Sequence, residues 1–333
     1  MARVSFLLDF LAKKLGIKGT SFISLILGFG CNVPAIYSTR TLTSFKERVI
    51  TSLMIPFMSC SARLPVYALF TSIFFPNNGP MVIMGLYLLG IFVAFVYGYI
   101  LNRVLVKQES KPFFLELPDY HMPTFLAIYN LMWPKLKDFI VRAGTVILLA
   151  SVILWIFINL PPNSKPQESI LAKSAQKIAP IFEPAGFGKN WEAVAALIPG
   201  TVAKEVVISS LGTIYASNVE KEEKIYNFKE DSINIIISLK DAIADSVVSI
   251  FRFSKEEEES FESSLTQKIK NSFNPLSAFS YMIFVLLYIP CISTMAAIKH
   301  EFGTKWMIFE SFLLLLIAYI VSTLFYQIST LVF

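Results

Sequence analysis

Apolar runs of around 20 residues recur along this chain, and several are interrupted by residues that a helix in lipid does not tolerate cheaply. A bilayer core offers no water to bond a free N–H or C=O, so a spanning segment must satisfy its own backbone. Three runs do so without interruption: Met81 to Val106, about Phe139 to Leu160, and Trp306 to Phe333. Four others are broken. Ser21 to Tyr37 contains Gly28, Gly30, Asn32 and Pro34, and residues 49–75 are divided by Pro56, Arg63 and Pro65 around Met58, Ser59, Cys60 and Ser61. Trp191 to Tyr215 is split at Pro199 and Gly200 and carries Lys204 and Glu205, and Leu276 to Ile298 is interrupted at Pro290 and Cys291. The pattern predicts an all-α, polytopic integral membrane protein with about seven membrane segments, several of them broken or re-entrant.

Composition supports this class and excludes others. Hydrophobic residues make up 55% of the 333 residues and charged ones 16%, with a mean hydropathy of +0.60, against about 45–50% and about 25% in soluble domains. The net charge of +5 is unevenly spread. Residues 217–275 hold 12 of the 24 acids with 8 basic residues, which leaves 21 basic against 12 acidic residues, a net +9, elsewhere. That excess sits on short loops and reads as topology signal and headgroup contact, so nucleic acid is not an expected partner. The acidic segment 217–275 is a polar insert with no assigned chemistry.

Basic flanks orient the chain. Lys13, Lys14 and Lys18 precede the first run while Arg40, Lys46 and Arg48 follow it, which predicts a re-entrant hairpin with both ends on the cytoplasmic side. The uncharged turn Pro76 to Pro80 is then outside, and Arg103, Lys107 and Lys111 return the next helix to the cytoplasm. Residues 1–19 read as an amphipathic surface helix, since Asp9, Lys13 and Lys14 interrupt any signal-peptide core. Thr124 to Lys137 is amphipathic, and Pro161 to Asn190 reads as a polar loop.

Broken segments are where a membrane protein keeps its chemistry, because freed backbone is tolerated only against protein or a ligand. Leu25 to Gly28 with Cys31 and Asn32 can be laid on Leu197 to Gly200 with Ala203 and Lys204, which suggests a duplicated gating element and two gate-like repeats. Lys204 and Glu205 each cost about 2.5–3.5 kcal/mol at a helix centre. They are expected either as a cavity-facing pair that holds a gate or attracts a cation, with Arg63 as partner of Glu205, or as snorkelling interfacial charges.

Cys31, Cys60 and Cys291 each stand beside a breaker or small polar residues. A cysteine in such a segment is commonly a small hydrophobe. With Met58, Met295, Ser59, Ser61 and Asn32 nearby, these three would also suit a borderline-soft divalent metal held by few, exchangeable ligands. Three cysteines cannot all pair, and C-x-x-C spacings for structural zinc are absent. His121 and His300 lie at segment ends and read as interfacial. Gly186 to Lys189 lacks the leading glycine of a phosphate loop, residue 183 being Glu, and no Ser/His/Asp grouping exists, so an enzyme is not expected.

Five motifs in order resemble the membrane portion of the FeoB family of ferrous iron transporters. They are Gly28 to Ala35 (GFGCNVPA) with Thr39 to Thr41, Pro56 to Tyr67 (PFMSCSARLPVY), Glu116 to Pro118, Gly200 to Val207 (GTVAKEVV), and Leu287 to Cys291 with Glu301 to Gly303. The resemblance implies an Fe(II) permease in the cell (inner) membrane, with Cys31, Cys60 and Cys291 as metal-pathway candidates. It divides the chain into a first gate-like region at 1–79, a connecting membrane region at 80–137 and a second gate-like region at 138–333. It implies a lipid bilayer, Fe(II) as substrate, self-association, and a GTP- and Mg-binding half that is separate or missing, since this chain starts at what looks like the middle of the first gate. An organic-solute or nucleoside-type carrier, or an inactive scaffold fragment, are the alternatives.

Overall fold

The computed structural model describes residues 19–42, 44–105, 169–216 and 259–332, and some positions between 124 and 156. Helices α1 (Ser21–Gly28) and α2 (Asn32–Ser38) flank a break at residues 29–31. Ser38 donates from its Oγ to the Oγ of Ser24 at 2.7 Å. In a straight helix those residues would stand about 21 Å apart, so α1 and α2 form a folded-back helical hairpin. Pro34 is accommodated in the first turn of α2, where its missing N–H is not needed.

Helix α3 (Phe45–Met54) runs into a 3-10 turn at Ile55–Phe57, an extended stretch over 58–60, a second 3-10 turn at Ser61–Arg63, and α4 (Leu64–Phe74). Pro56 and Pro65 start the turn and the helix, respectively, as their fixed φ and absent donor favour. The unbroken α5 (Gly79–Leu105) follows. The same order of elements then recurs. Helices α7 (Trp191–Gly200) and α8 (Val206–Ala216) flank a break at 201–205, α10 (Pro275–Leu287) and α11 (Ile292–Phe302) flank an extended stretch at 288–291, and α12 (Thr304–Val332) is long and unbroken. Before and within this second series lie α6 (Ile170–Ile178), a 3-10 run at Ala179–Ala185, and α9 (Glu259–Ser272).

The two broken spans lie antiparallel. Arg48, near the start of α3, donates to Glu301 at the end of α11 at 3.1 Å. At the other end, Phe75 after α4 meets Phe279 near the start of α10, with ring centroids 6.2 Å apart. Both breaks fall between these ties, so they reach a common depth. Helix α10 is the centre of the core: residues 280–287 are all buried, and it touches α4, α5 and α12. A helix apolar on every side requires such a position. Helices α5 and α12 keep one face out, with Leu88, Phe92, Phe312 and Leu324 exposed, as suits contact with lipid.

Four helical stretches among the described residues are long and apolar enough to cross a membrane: Phe45–Phe74, Gly79–Val104, Pro275–Phe302 and Thr304–Leu331. The described positions between 125 and 156 are helical. Residues 1–18, 106–123, which include His121 and Glu116 to Pro118, and 217–258 lie outside the described residues.

Two readings are corrected. The polar loop over 161–190 contains α6, started by the Ser169 side chain accepting from the Ala172 N–H, and a 3-10 run that ends at Gly186. Gly186 has φ +87°, and a Cβ there would overlap the ring of Tyr326 on α12, so the Gly186 to Lys189 sequence makes a tight turn against that helix. The insert is also shorter than its composition suggests. Ile269 and Phe273 are buried, and the Phe273 ring packs on Phe70 at 5.4 Å and Tyr281 at 5.6 Å.

Close approach of α5 to the first broken span depends on glycine. A Cβ at Gly90 would lie 2.7 Å from the carbonyl oxygen of Phe57, whereas one at Gly85 meets nothing within 4 Å. Gly90→Val is therefore expected to lower stability by about 1–3 kcal/mol, read as an earlier thermal transition in lipid nanodiscs, with Gly85→Ala close to wild type.

Candidate functional site: four helix breaks at one depth

The first hairpin rests on the first broken span. A Cβ at Gly28 would come within 3.1 Å of the Met58 side chain, and Ser61 donates from Oγ to the carbonyl of Gly30 at 3.1 Å. The extended stretch 58–60 is held from below by Arg63, which is 0% exposed. Its Nη1 donates to the carbonyls of Pro56 at 3.1 Å and Met58 at 3.2 Å, and its Nη2 to Pro56 at 3.1 Å. Arg63 thus replaces the N–H groups that an unbroken helix would have aimed at those oxygens. Ser59 donates to the Tyr67 hydroxyl at 3.3 Å.

The second pair of breaks is joined more directly. Ile292 donates its N–H to the carbonyl of Thr201 at 2.9 Å, and Lys204, 2% exposed, donates from Nζ to the carbonyl of Ile289 at 2.6 Å. The same ammonium sits 3.1 Å from the centroid of the Tyr288 ring, a cation–π contact whose strength rises with desolvation. Gly200 permits this, since a Cβ there would fall 2.4 Å from the Tyr288 hydroxyl and 2.4 Å from Val207. Pro290 is buried beside it.

The four breaks converge. Lys204 lies within electrostatic reach of Arg63, Cys291 and Cys60, and Cys31 within reach of Cys291 and Cys60. Each cysteine stands at the N-cap position of the element after a break, with no capping bond from its thiol: Cys31 before α2, Cys60 before the 3-10 turn at Ser61–Arg63, and Cys291 before α11. All three are free thiols, Cys31 exposed and the other two half-buried. Cys291 Sγ lies 3.1 Å from the Thr294 hydroxyl. Asn32, Tyr288 and Ser293 are buried at the breaks with Oδ1, hydroxyl and Oγ lacking a hydrogen-bond partner among the described residues. No group of three or more His, Cys, Asp or Glu side chains able to hold a metal forms among the described residues.

The expected Arg63–Glu205 pair is not formed. Both terminal nitrogens of Arg63 are taken by carbonyls of its own segment, and Glu205 is exposed while its neighbour Lys204 is buried, so the two members of the charged dipeptide part company. Gly30 and Ser61 are exposed, and Ser59 and Asn32 are buried. Sequence reasoning missed Tyr67 and Tyr288, although both lie in the quoted motifs. It also missed the ion cluster that closes one end of the bundle. Glu301, with its side chain 5% exposed, accepts from Arg40 and Arg48, and Arg40 stacks 5.0 Å from the Tyr37 ring. His300 Nδ1 lies 3.4 Å from the same carboxylate.

Broken apolar spans, with their breaks brought to one level inside protein, define a polytopic helical membrane protein. The family described as "Gate: nucleoside recognition" matches residues 1–74 and 140–305, and that described as "Ferrous iron transport protein B C terminus" matches residues 83–135. The Fe(2+) transporter FeoB of Escherichia coli strain K12 is 40% identical over 344 residues, covering 99% of this chain and 44% of that protein. Its counterpart in Staphylococcus aureus strain MSSA476 is 38% identical over 333 residues, with 99% and 44% covered, and that of Salmonella typhi 39% over 347 residues, with 99% and 45%. The chain belongs to the FeoB family of ferrous iron transporters, whose membrane gate portion it matches. It spans less than half the length of these curated relatives. No solved structure matches it.

Removing the Arg63 guanidinium leaves two buried carbonyls without donors. Arg63→Met is expected to cost about 3 kcal/mol, seen as a lower denaturant midpoint in micelles, and Arg63→Lys to recover part of that loss.

Proposed function

We propose that this chain is the membrane permease part of a ferrous iron transporter and that Fe(II) passes through the level where the four breaks meet. The observation that carries this reading is the placement of Cys31, Cys60 and Cys291, each at the N-cap position of the element that follows a break, with Cys31 within electrostatic reach of the other two. Fe(II) is stripped of water in steps, and thiols and hydroxyls encountered singly bind it weakly enough to let it leave. Ser59, Ser61 and Asn32 supply oxygens along this path. Arg63 and Lys204 oppose a cation at the same level, so the arrangement is a closed gate. It opens when Lys204 leaves the Ile289 carbonyl, while exposed Glu205 attracts the ion at the mouth.

The recurring order of hairpin, broken span and long helix, with the broken spans antiparallel, is that of two inverted gate repeats. About seven segments would then cross or enter the cell (inner) membrane. Arg40 and Arg48 set the Glu301 end in the cytoplasm by the positive-inside tendency. The start of α7 meets the end of α9 through Asn190 and Ser272, at the level of Phe75 and Phe279. GTP binding and hydrolysis belong to a partner half on another polypeptide region, and the permease itself is no enzyme and self-associates.

A second reading has one observation in its favour. Neither Arg63 nor Lys204 has a carboxylate partner among the described residues, which would suit an anionic organic solute better than a metal. Flux of such a solute into liposomes without metal would establish that reading, and metal-dependent uptake alone would remove it.

Three outcomes test the iron reading. In vesicles containing this chain with its GTP-binding half, Cys60→Ser and Cys291→Ser are each expected to lower Fe(II) uptake about tenfold, since even outer-shell metal partners cost that much. Unchanged uptake in all three Cys→Ser variants would sink the ligand assignment, and unchanged uptake in Glu205→Ala its role at the mouth. A cysteine placed at Asn78, exposed in the turn beside Phe75, in a background without native cysteines should react with an impermeant maleimide in intact cells. Labelling only after permeabilisation would overturn the inverted orientation.

A further inference from the structure

The two long helices share a carboxyl that the gate does not use. Glu310, in the second turn of α12, is 0% exposed and lies inside the apolar stretch Thr304–Leu331. Its Oε2 accepts a hydrogen bond from the Tyr97 hydroxyl of α5 at 2.6 Å, and its Oε1 has no hydrogen-bond partner. Tyr97 is itself 4% exposed. Among the described residues Tyr97 is the one ionisable group acting on Glu310. Helices α10 and α11 and the 3-10 run at Ala179–Ala185 pack against α12, and no charged side chain of these acts on this carboxyl.

An ionised carboxylate here would place a full charge in an apolar site with a single donor and no cation, and one of its oxygens would have nothing to bond. A neutral acid needs much less: one oxygen accepts from Tyr97 and the other carries the proton. A metal is a poor fit, because one carboxyl and one phenol fall short of the donor sets that hold divalent ions. Ionisable groups buried at membrane depth are rare and mark ion pathways and proton relays.

We propose that Glu310 is a proton-binding site, which holds its proton while α5 and α12 stand together at Tyr97 and gives it to water that enters when they part. Tyr97 links that event to the gate. Its ring packs 4.9 Å from that of Phe57, the residue that leads into the extended stretch at Met58 and Cys60. Separation of α5 from α12 therefore moves the support of the first broken span, and Glu310 exchanges its proton in the same step.

The test is infrared difference spectroscopy of the whole chain in lipid nanodiscs. At pH 7 the wild type is expected to show a carboxylic-acid C=O band that Glu310→Gln removes. Tyr97→Phe should keep the band and move it to higher frequency, because the acceptor loses its hydrogen bond. The band should persist at pH values where solvent-facing carboxyls are ionised. A Glu310-dependent carboxylate band at pH 7, or a spectrum unchanged by both variants, would overturn the proposal. Should Glu310→Gln not fold, an unshifted spectrum of Tyr97→Phe would overturn it alone.

Discussion

Freed backbone carbonyls in the middle of apolar segments set the terms for the rest of this molecule. Lipid cannot bond them, and each one left bare costs several kcal/mol. Two buried cations meet that need. Arg63 covers Pro56 and Met58 within its own span, and Lys204 reaches from one broken segment to Ile289 in another. Because neither cation has a carboxylate partner among the described residues, both breaks have to lie inside protein. This is why α10 is buried on every side while the unbroken α5 and α12 keep an exposed face.

The same requirement organises the bundle lengthwise. Polar ties close one end, where Glu301 gathers Arg40 and Arg48, and aromatic rings close the other, where Phe70, Phe75, Phe273 and Phe279 meet. The breaks sit between these ties at a common level. Glycine makes the contacts short enough, with Gly28 against Met58 and Gly200 against Tyr288. Both glycines thus lie against residues two or three places before a cysteine, Cys60 and Cys291 respectively. A region joined by a few polar bonds within tightly packed apolar walls is one that can hold two discrete arrangements.

Much of this was legible because breakers are local. Gly28, Gly30, Pro56, Pro199, Gly200 and Pro290 interrupt helices through their own backbone chemistry, and the observed breaks fall beside them. Charge partners were not legible. Pairing Arg63 with Glu205 assumed that opposite charges seek each other, whereas the carbonyls freed in the arginine's own segment were nearer and equally in need. Glu310 went unnoticed because one acid in a long apolar run looks tolerable until its surroundings are known. Helix α6 was hidden in a segment whose composition is that of a loop, and Phe273 in an insert whose composition is that of solvent.

The sequence by itself determined the class of protein, the positions of the breaks and the family, because each rests on residue type and spacing along the chain. Tertiary structure alone decided what meets at the breaks. It placed three cysteines separated by as many as 260 positions within electrostatic reach, split Lys204 from Glu205, and joined Tyr97 to Glu310 across 213 residues. Those outcomes depend on which freed carbonyl or buried charge finds a partner in three dimensions. No period or motif encodes that choice, since it is made by the cost of leaving any of them bare.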